Sequence, residues 1–425
     1  MKYIFNENFD VKQKEVPYHG IVDFVLGSCR DDIIVINNEA KSIIASAQKN
    51  GVIEDSNFSE VEVSRLISEE ILVPYDKSED YQSPFFTEVL NFWLQVTDKC
   101  NLDCSYCYIP SLNSKNTIRS DLFELLNKKI IEVPGLKTVN LKIAGGEPLL
   151  SFSKWKKGVV ELRENLLKEK IELNMRLISN LTVLTDEMIE FFNHYQVSVS
   201  ISLDGLGTFN DKNRIYIGSR KGTYATIKKN LDRLLINDIK PSVMVTATSE
   251  NREGIRDLIS FLVDRDITFR IADAKGGGIS SDEFESLMDS SMSVLKEGVK
   301  ASYPISRRVV FSDLRTHYPS STPCSMGKNG AAIYLDGSVY FCHTEFEKGS
   351  PVGHLEENEN LLGIIRRGKE KHYGLSDDCR SCEYRLICAG GCPLYRVNGK
   401  SPMCGAYKKI LKSVLDLYDQ EESEV

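Results

Sequence analysis

Ten of the eleven cysteines lie in two groups, and their spacing is the first indication of chemistry in this sequence. The first group is Cys100, Cys104 and Cys107; the second is Cys324, Cys342, Cys379, Cys382, Cys388, Cys392 and Cys404; Cys29 stands apart. A reducing compartment keeps thiols free, so cysteines clustered in this way indicate metal or iron–sulfur ligation rather than disulfides.

The sequence carries no sign of export or of membrane insertion. No stretch approaches the roughly 18 consecutive apolar residues of a membrane span, and the start of the chain, from Met1 to Asn6, lacks the long apolar core of a signal peptide. We therefore expect a cytoplasmic protein with no membrane partner, whose clustered cysteines are metal ligands.

The first cysteine motif has three residues between Cys100 and Cys104 and two between Cys104 and Cys107. Three thiolates in so short a loop can hold three irons of one four-iron cluster, which leaves the fourth iron open to a small molecule. A structural zinc site would need a fourth Cys or His nearby, whereas His19 and His194 are distant in sequence. An iron–sulfur cluster is thus favoured over zinc.

Length and composition are those of an ordinary globular protein. The chain has 425 residues, 41% hydrophobic and 27% charged, which suits roughly two to three packed domains and excludes a disordered chain. It has 53 Lys and Arg against 61 Asp and Glu, a net charge of −8. Because such a surface does not attract phosphate backbones in general, we expect no nucleic-acid partner.

The elements of the first segment, which ends near the polar run 76–80, resemble a small winged helix-turn-helix. Strands are predicted at 20–26 and 32–36, helices at 39–50 and 59–71, and an extended piece at 72–74. Ser59 and Glu62 have the spacing of a capping box. From this pattern alone, a DNA-binding or dimerising module and a peptide-binding module are both open.

The middle of the chain alternates strands and helices, which predicts about six βα units around a parallel sheet. The predicted strands are 94–97, 138–143, 174–179, 198–203, 242–246 and 268–272; predicted helices include 121–131, 185–194 and 224–235. Cys100, Gly145, Ser179 and Asp204 all follow strand ends. In parallel α/β folds functional residues gather at the carboxyl ends of strands, so we expect these residues to share one site.

The motif Cys100-x3-Cys104-x2-Cys107, with Tyr106 before its last cysteine, resembles the cluster loop of radical S-adenosylmethionine (SAM) enzymes. The resemblance implies that the three cysteines are catalytic and hold a 4Fe-4S cluster, and that Tyr106 lies at the cofactor. It also implies that the open iron chelates the amino and carboxylate groups of SAM, and that electron transfer cleaves SAM to methionine and a 5′-deoxyadenosyl radical. The difficult chemistry then belongs to the cofactor, which the protein positions.

Further motifs resemble SAM-contacting positions of the same family. The run from Ala144 to Pro148 is similar to the GGEP motif, which implies SAM contacts from Gly145, Gly146, Glu147 and Pro148. Glycines at this point permit close approach of a ligand and unusual dihedral angles. Ile178 to Leu181 resembles the ribose-contacting strand end, which implies roles for Ser179 and Asn180, although Leu181 replaces a common glycine.

The next strand and loop, around Ser202 and Arg214, also resemble the family. The resemblance makes both residues candidates for binding the SAM carboxylate. A guanidinium group suits a bidentate contact with a carboxylate. The alternative for Arg214 is an ordinary solvated charge on a loop.

The C-terminal cysteines resemble a SPASM domain, an extension of radical SAM enzymes that carries two auxiliary 4Fe-4S clusters. The family's order of ligation assigns Cys379, Cys382, Cys388 and Cys404 to the second auxiliary cluster and leaves Cys324, Cys342 and Cys392 for the first. One iron of the first cluster would then lack a cysteine ligand and could accept a thiolate of the substrate. Water, a backbone group, a carboxylate or Cys29 could close the position instead.

The whole arrangement resembles radical SAM maturases of ribosomally made peptides. The fold class this implies is α/β: a partial (β/α)6 radical SAM barrel with an N-terminal winged-helix-like domain and a C-terminal SPASM domain. We predict a precursor-peptide recognition domain at 1–78, a linker at 79–91, the barrel at 92–305 and the SPASM domain at 306–425. An extended leader peptide could add to an exposed sheet edge of the first domain.

The expected activity is peptide cyclisation that forms Cys-derived thioether crosslinks, as in the maturation of sactipeptides and ranthipeptides. SAM and three 4Fe-4S clusters are the expected cofactors, with an electron donor such as flavodoxin or ferredoxin. The alternatives are carbon–carbon or carbon–oxygen crosslinking of a precursor peptide, and sulfatase-type maturation of a protein Cys or Ser. A non-enzymatic iron–sulfur regulator that binds DNA is a further alternative, but it would not explain the GGEP motif.

Overall fold

The computed structural model describes residues 2–6, 9–17, 19–27, 33–75, 86–109 and 116–423. Cys29 and the polar run 76–80, which the sequence suggested as a segment boundary, lie outside these residues. No helix in the described part of the chain is long and apolar enough to cross a membrane.

The N-terminal segment contains two small antiparallel sheets and two helices. Its elements are β1 (Lys2–Phe5), β2 (Phe9–Val16), β3 (Gly20–Gly27), β4 (Ile33–Val35), α1 (Asn38–Asn50), β5 (Ile53–Glu54), α2 (Glu60–Ser68) and β6 (Leu72–Pro74). The strand orders are β5-β1-β6 and β2-β3-β4. Ser59 caps α2 by accepting a hydrogen bond from the Glu62 amide. The Glu62 carboxylate, however, accepts a hydrogen bond from the Asn37 side chain 3.3 Å away.

The middle segment alternates strands with helices, as its sequence predicts. Its elements are β7 (Val89–Thr97), α3 (Leu122–Ile131), β8 (Thr138–Gly145), α4 (Phe152–Lys168), β9 (Glu172–Ser179), α5 (Asp186–His194), β10 (Ser198–Ser202), α6 (Thr208–Asp211), α7 (Tyr224–Ile236), β11 (Ser242–Ala247), α8 (Arg252–Val263), β12 (Phe269–Asp273), α9 (Ser281–Lys300), α10 (Ile305–Arg308) and β13 (Val309–Phe311). The six predicted strands correspond to β7 through β12.

The C-terminal segment adds three strands to the same sheet and ends in a long helix. Its elements are β14 (Gly330–Ile333), β15 (Ser338–Tyr340), β16 (Gly353–His354), α11 (Leu361–Arg366), α12 (Asp377–Ser381), α13 (Arg385–Cys388) and α14 (Cys404–Ser423). The helix α14 packs against α9. The last cysteine is therefore the first residue of a helix that is anchored to the barrel.

The central sheet has ten strands in the order β13-β12-β11-β10-β9-β8-β7-β14-β15-β16. Pairing is parallel from β13 to β14 and antiparallel for β15 and β16. This mixed α/β architecture with an open parallel sheet confirms the predicted fold class. The domain division remains a prediction, and the parallel sheet runs from Val89 to beyond residue 305.

The sheet has an apolar face and a polar face, which follow from alternation along each strand. In β8 the side chains of Val139, Leu141 and Ile143 are buried in the main core with the surrounding helices. On the opposite face, Asn140 bonds to Asn91 of β7 at 3.0 Å, and Asn174 of β9 bonds to Asn140 at 3.2 Å. We call this polar side the inner face of the barrel.

Candidate active site

The first cysteine motif forms a loop directly after β7, at the carboxyl end of the sheet. Burial raises the pKa of Cys100 to about 12 and that of Cys104 to about 11, and it also raises the pKa of Cys107. Two side-chain donors lie near the sulfurs: Asn180 Nδ2 is 3.8 Å from Cys100 Sγ, and an Arg214 terminal nitrogen is 3.8 Å from Cys104 Sγ. Thiolates that are partly shielded from water need positive charge nearby, so this loop fits the iron ions of an iron–sulfur cluster.

The glycines of the GGEP motif let two backbone segments touch. A Cβ atom at Gly145 would lie 2.3 Å from the Thr97 carbonyl oxygen, and one at Gly146 would lie 2.4 Å from the Lys99 carbonyl oxygen. The Gly146 and Glu147 amides donate to these two carbonyls at 2.9 and 2.7 Å. Neither glycine has a positive φ. The sequence requires glycine here because the motif packs against the start of the cysteine loop.

We expect Gly145→Ala to lower the free energy of unfolding by about 1–3 kcal/mol, because the added methyl group must displace the backbone of Thr97. The displaced strand end also carries the cysteine loop, so the iron content after reconstitution should fall. Urea unfolding and iron analysis measure both effects. Gly405→Ala is the matched control, since its Cβ would have only an ordinary contact at 3.5 Å; an equal loss in both variants would contradict the explanation.

Glu147 connects the ends of β8 and β9 through a buried carboxylate. It accepts hydrogen bonds from the Leu149 amide at 2.9 Å, the Ser179 hydroxyl at 2.9 Å and the Asn180 amide at 2.7 Å. Burial nevertheless raises its pKa to about 7. Within this structure the carboxylate therefore aligns the next predicted site residues, Ser179 and Asn180.

The end of β9 is held in a conformation that is unusual for its residues. Ser179 donates to Glu147 and accepts from the Leu181 amide at 2.9 Å. Leu181 is fully buried and has a φ of +55°, in the left-handed region that a side chain disfavours. The radical SAM enzymes that this motif resembles commonly have glycine at this position. Asn180 also donates to the side-chain oxygen of Asn101, 3.0 Å away in the cysteine loop.

Arg214 belongs to a buried charged group that the sequence did not reveal. It is only 7% exposed, and its Nε donates to Asp204 Oδ2 at 2.7 Å, an oxygen that also accepts from the Tyr106 hydroxyl. Burial alone would lower the pKa of Arg214, but the Asp204 carboxylate holds it above its ordinary value. The solvated-loop alternative for Arg214 is therefore wrong. Ser202 is half-buried at the end of β10.

We expect Asp204→Asn to lower the free energy of unfolding by about 3–5 kcal/mol, because it leaves Arg214 as a buried charge without its carboxylate. Urea unfolding measures the change. The control is Asp103→Asn, which breaks a largely exposed ion pair with Arg220 and should cost no more than about 1 kcal/mol. Similar losses in the two variants would show that burial does not set the strength of the Asp204 interaction.

The structure brings the C-terminal cysteines together in two sets. Electrostatic interactions join Cys342 to both Cys324 and Cys392. They also join Cys404 to Cys379, Cys382 and Cys388. These sets of three and four cysteines have the membership that the order of ligation implied. Their roles as ligands remain a proposal.

Backbone amides around these cysteines have a recurring arrangement: the amide two residues later lies at the sulfur. The pairs are Cys100 with Leu102, Cys324 with Met326, Cys342 with Thr344, Cys388 with Gly390 and Cys392 with Leu394. Hydrogen bonds to the sulfurs tune the reduction potential of iron–sulfur clusters.

Among the described residues, no three His, Cys, Asp or Glu side chains are close enough to hold a single metal ion.

Aromatic residues lie between the cysteine loop and the set of three cysteines. Tyr108 interacts electrostatically with both Cys107 and Cys342. Its ring is 5.1 Å from that of His343, which stacks on Trp93 at 3.7 Å. Sequence reasoning missed these residues; the only signal was that Tyr108 and His343 each follow a cysteine. These aromatic rings therefore connect the cysteine loop with the set of three cysteines.

Comparison with known proteins gives a family for the central part of the chain. Residues 94–262 match the model of the radical SAM superfamily. A serine-type anaerobic sulfatase-maturating enzyme of Klebsiella aerogenes is 22% identical over 342 residues, which are 74% of this chain and 82% of the relative. A cysteine-type enzyme of Clostridium novyi is 21% identical over 325 residues, 70% of this chain and 86% of the relative.

Two solved structures share the fold. The structure of anSMEcpe with bound AdoMet and Cp18Cys peptide has a TM-score of 0.66 and 16% identity, and the match covers 79% of this chain and 100% of that one. Streptococcus suis SuiB bound to precursor peptide SuiA has a TM-score of 0.52 and 14% identity, with 94% of this chain and 98% of that one covered. SAM and a 4Fe-4S cluster are the cofactors of such a domain, and the three cysteines of the loop fit them. Residues 94–262 are thus a radical SAM domain, and the chain shares its fold with anSMEcpe and SuiB.

Proposed function

We propose that this radical SAM enzyme matures a ribosomally made precursor peptide by forming thioether crosslinks from Cys. The observation that carries the proposal is a set of cysteines beside the SAM-cluster loop that, among the described residues, has three members, Cys324, Cys342 and Cys392. Three thiolates would leave one position of a 4Fe-4S cluster for another ligand. A substrate thiol is the kind of soft ligand that iron in such a cluster accepts.

The N-terminal segment supports a peptide substrate with a leader, bound by residues 1–78. The match to SuiB extends over 94% of a 425-residue chain, so residues 76–425 alone cannot account for it. In the described part of the chain, β2 is an eight-residue edge strand that pairs only with β3. An extended leader could add to this edge through its backbone, with side chains read at alternate positions.

Different residues of the chain would have different roles at the site. Cys100, Cys104 and Cys107 would hold the SAM cluster, while Glu147 and Asn180 keep the two strand ends and the loop in register. Arg214 uses Nε for Asp204, which leaves its terminal nitrogens on the cluster side for the SAM carboxylate. SAM, when bound and reduced, supplies a radical that takes a hydrogen atom from a substrate carbon.

Thioether formation requires the removal of two hydrogens from the peptide, one from carbon and one from sulfur. The carbon hydrogen leaves as an atom with the adenosyl group, and the sulfur hydrogen leaves as a proton. The remaining electron must leave through the protein. A cluster held by the second set of cysteines, Cys379, Cys382, Cys388 and Cys404, would carry it to an acceptor, and a flavodoxin or ferredoxin would supply the electron for SAM cleavage.

Sulfatase-type maturation of a protein Cys or Ser is the second candidate, because the named relatives are serine-type and cysteine-type anaerobic sulfatase-maturating enzymes. These relatives align with 74% and 70% of this chain. The solved anSMEcpe structure covers 79% of it, against 94% for SuiB. The wider match favours a precursor peptide as the substrate.

Mass spectrometry after anaerobic turnover separates these activities. The reconstituted enzyme is incubated with SAM, a reductant and a Cys-containing peptide encoded next to its gene, and the product is analysed with and without thiol alkylation. We expect a loss of two hydrogens together with one thiol that no longer alkylates. The same loss with every thiol still reactive would indicate a carbon–carbon or carbon–oxygen link, and an oxidised Ser or Cys without a crosslink would indicate the sulfatase-type reaction.

A further inference from the structure

The inner face of the barrel concentrates positive charge below the SAM-cluster loop. Lys142 of β8 and Arg176 of β9 are direct partners in the parallel register, on strands about 4.8 Å apart. They lie on the same face as the ladder of Asn140 and Asn174, because each is two residues further along its strand. Arg270, on β12, contributes a third cation.

These cations are poorly neutralised. In the described part of the chain, neither Lys142 nor Arg176 has a hydrogen bond or an ion pair. Arg270 contacts Asp313 at 3.3 Å through one terminal nitrogen, but its buried Nε has no hydrogen-bond partner. Asp313 is shared, since it also pairs with Lys275 at 2.6 Å.

The electrostatic surroundings show that the charges interact. Burial, together with Arg270, Arg176 and Arg315, lowers the pKa of Lys142 to about 8. Lys142 is accessible from the barrel's interior although protein surrounds it. Like charges that lie close together destabilise the fold unless an anion joins them. The arrangement therefore suits an anionic ligand that the chain itself does not supply.

The surroundings of these cations include a neutral histidine and lie on the way to the GGEP motif. His343 lies near the same charges, and burial with Lys142 and Arg270 lowers its pKa to about 3, so it stays neutral beside its stacking partner Trp93. Lys142 is three residues before Gly145 on β8, or roughly 10 Å below the GGEP motif. A chain that reaches the SAM site would pass this position.

We propose that the inner face of the barrel binds a carboxylate of the substrate peptide, with Lys142 and Arg176 as direct contacts and Arg270 Nε as a further donor. This inference rests on the proposed peptide substrate, and it adds a specificity: an acidic side chain or the C-terminal carboxylate close to the modified residue. Carboxylates are the side-chain and terminal groups of an unmodified peptide that are fully ionised as anions at neutral pH, and a guanidinium binds them with two parallel hydrogen bonds.

Another role for these cations is to balance the charge of the first auxiliary cluster, since Lys142 also interacts with Cys324. The two roles differ in a measurable way. If the cations bind a substrate carboxylate, small carboxylates should saturate the site while the clusters are in place. If the cations balance the charge of the cluster, they need no further anion and small carboxylates should not bind.

Competitive labelling of lysines tests the carboxylate site without turnover. The anaerobically reconstituted full-length protein is treated with limiting acetic anhydride, and acetylation at each lysine is quantified by mass spectrometry. The probes are N-acetyl-glutamate N-methylamide for an acidic side chain, N-acetylglycine for a C-terminus, and N-acetyl-glutamine N-methylamide as the neutral control. At about ten times its dissociation constant, a bound probe should slow acetylation of Lys142 about tenfold, because only the free fraction reacts.

The controls are internal and mutational. Lys157 on the outer surface should react at the same rate with and without probe. Arg176→Gln should remove most of the protection, whereas Arg256→Gln, on the exposed side of α8, should keep it. Protection by only one of the two carboxylate probes identifies the source of the carboxylate and supports the proposal.

Two outcomes would overturn the inference. One is no protection by either carboxylate, or equal protection by the neutral amide. The other is protection that appears only when the clusters are absent, which would assign the cations to the cluster. Because labelling requires no peptide modification, these results are independent of whether the thioether activity is found.

Discussion

Replacing Cys104 by Ala is expected to reduce SAM cleavage to background and to remove the absorption of one cluster after reconstitution. Cys104 is the central cysteine of the loop, and an Arg214 terminal nitrogen lies 3.8 Å from its sulfur. With one of three thiolates missing, the cluster cannot be held with a single open iron. Anaerobic assay of 5′-deoxyadenosine and iron content in the same preparation measures both effects.

The control for this variant is Ser105→Ala, one residue further along the loop. The Ser105 hydroxyl donates to the Asn213 side chain at 2.8 Å and offers no thiolate, so SAM cleavage should persist with at most a modest decrease. Retention of substantial cleavage by Cys104→Ala would contradict the assignment of this loop to the SAM cluster. Loss in both variants would mean that the loop is too fragile for the comparison to identify a ligand.

Replacing Cys324 by Ala is expected to separate SAM cleavage from crosslinking. Cys324 interacts with Cys342 and lies outside the cysteine loop, so cleavage should continue at a reduced rate. Crosslinking should fall to background, because the set of three thiols would be reduced to two and could no longer hold a cluster beside the site. The measurement is the ratio of crosslinked peptide to 5′-deoxyadenosine in one reaction.

Ser325→Ala provides the matched control for Cys324→Ala, since it changes the adjacent residue without removing a thiol. We expect its product ratio to match that of the unchanged protein. Equal cleavage and equal crosslinking in Cys324→Ala would exclude a role of the first auxiliary set in the reaction. Loss of both cleavage and crosslinking would indicate that this set supports the structure of the SAM site.

Local sequence patterns were sufficient for the barrel strands but not for every N-terminal strand. Strands β7 to β12 are short apolar or alternating runs between turns, so their positions followed from periodicity. Strand β1 was missed because four residues carry little periodicity, and it is stabilised by pairing with β5 and β6, about 50 to 70 residues later in the chain. Such pairing depends on tertiary contacts.

The capping box at Ser59 illustrates a local pattern that tertiary structure altered. The Ser59 hydroxyl accepts from the Glu62 amide as predicted. The Glu62 carboxylate is buried and accepts from Asn37, the N-cap of the preceding helix. The Asn37 side chain thus makes the hydrogen bond to Glu62 that the Ser59 amide would make in a capping box.

The sequence by itself determined which residues can do chemistry: spacing identified the cysteine loop, the GGEP motif and the seven C-terminal cysteines. Tertiary structure alone decided that Arg214 is buried against Asp204. It also placed Lys142 beside Arg176. The physical reason is that motifs are local properties of the chain, whereas burial, charge pairing and strand register arise between segments that meet only when the sheet forms.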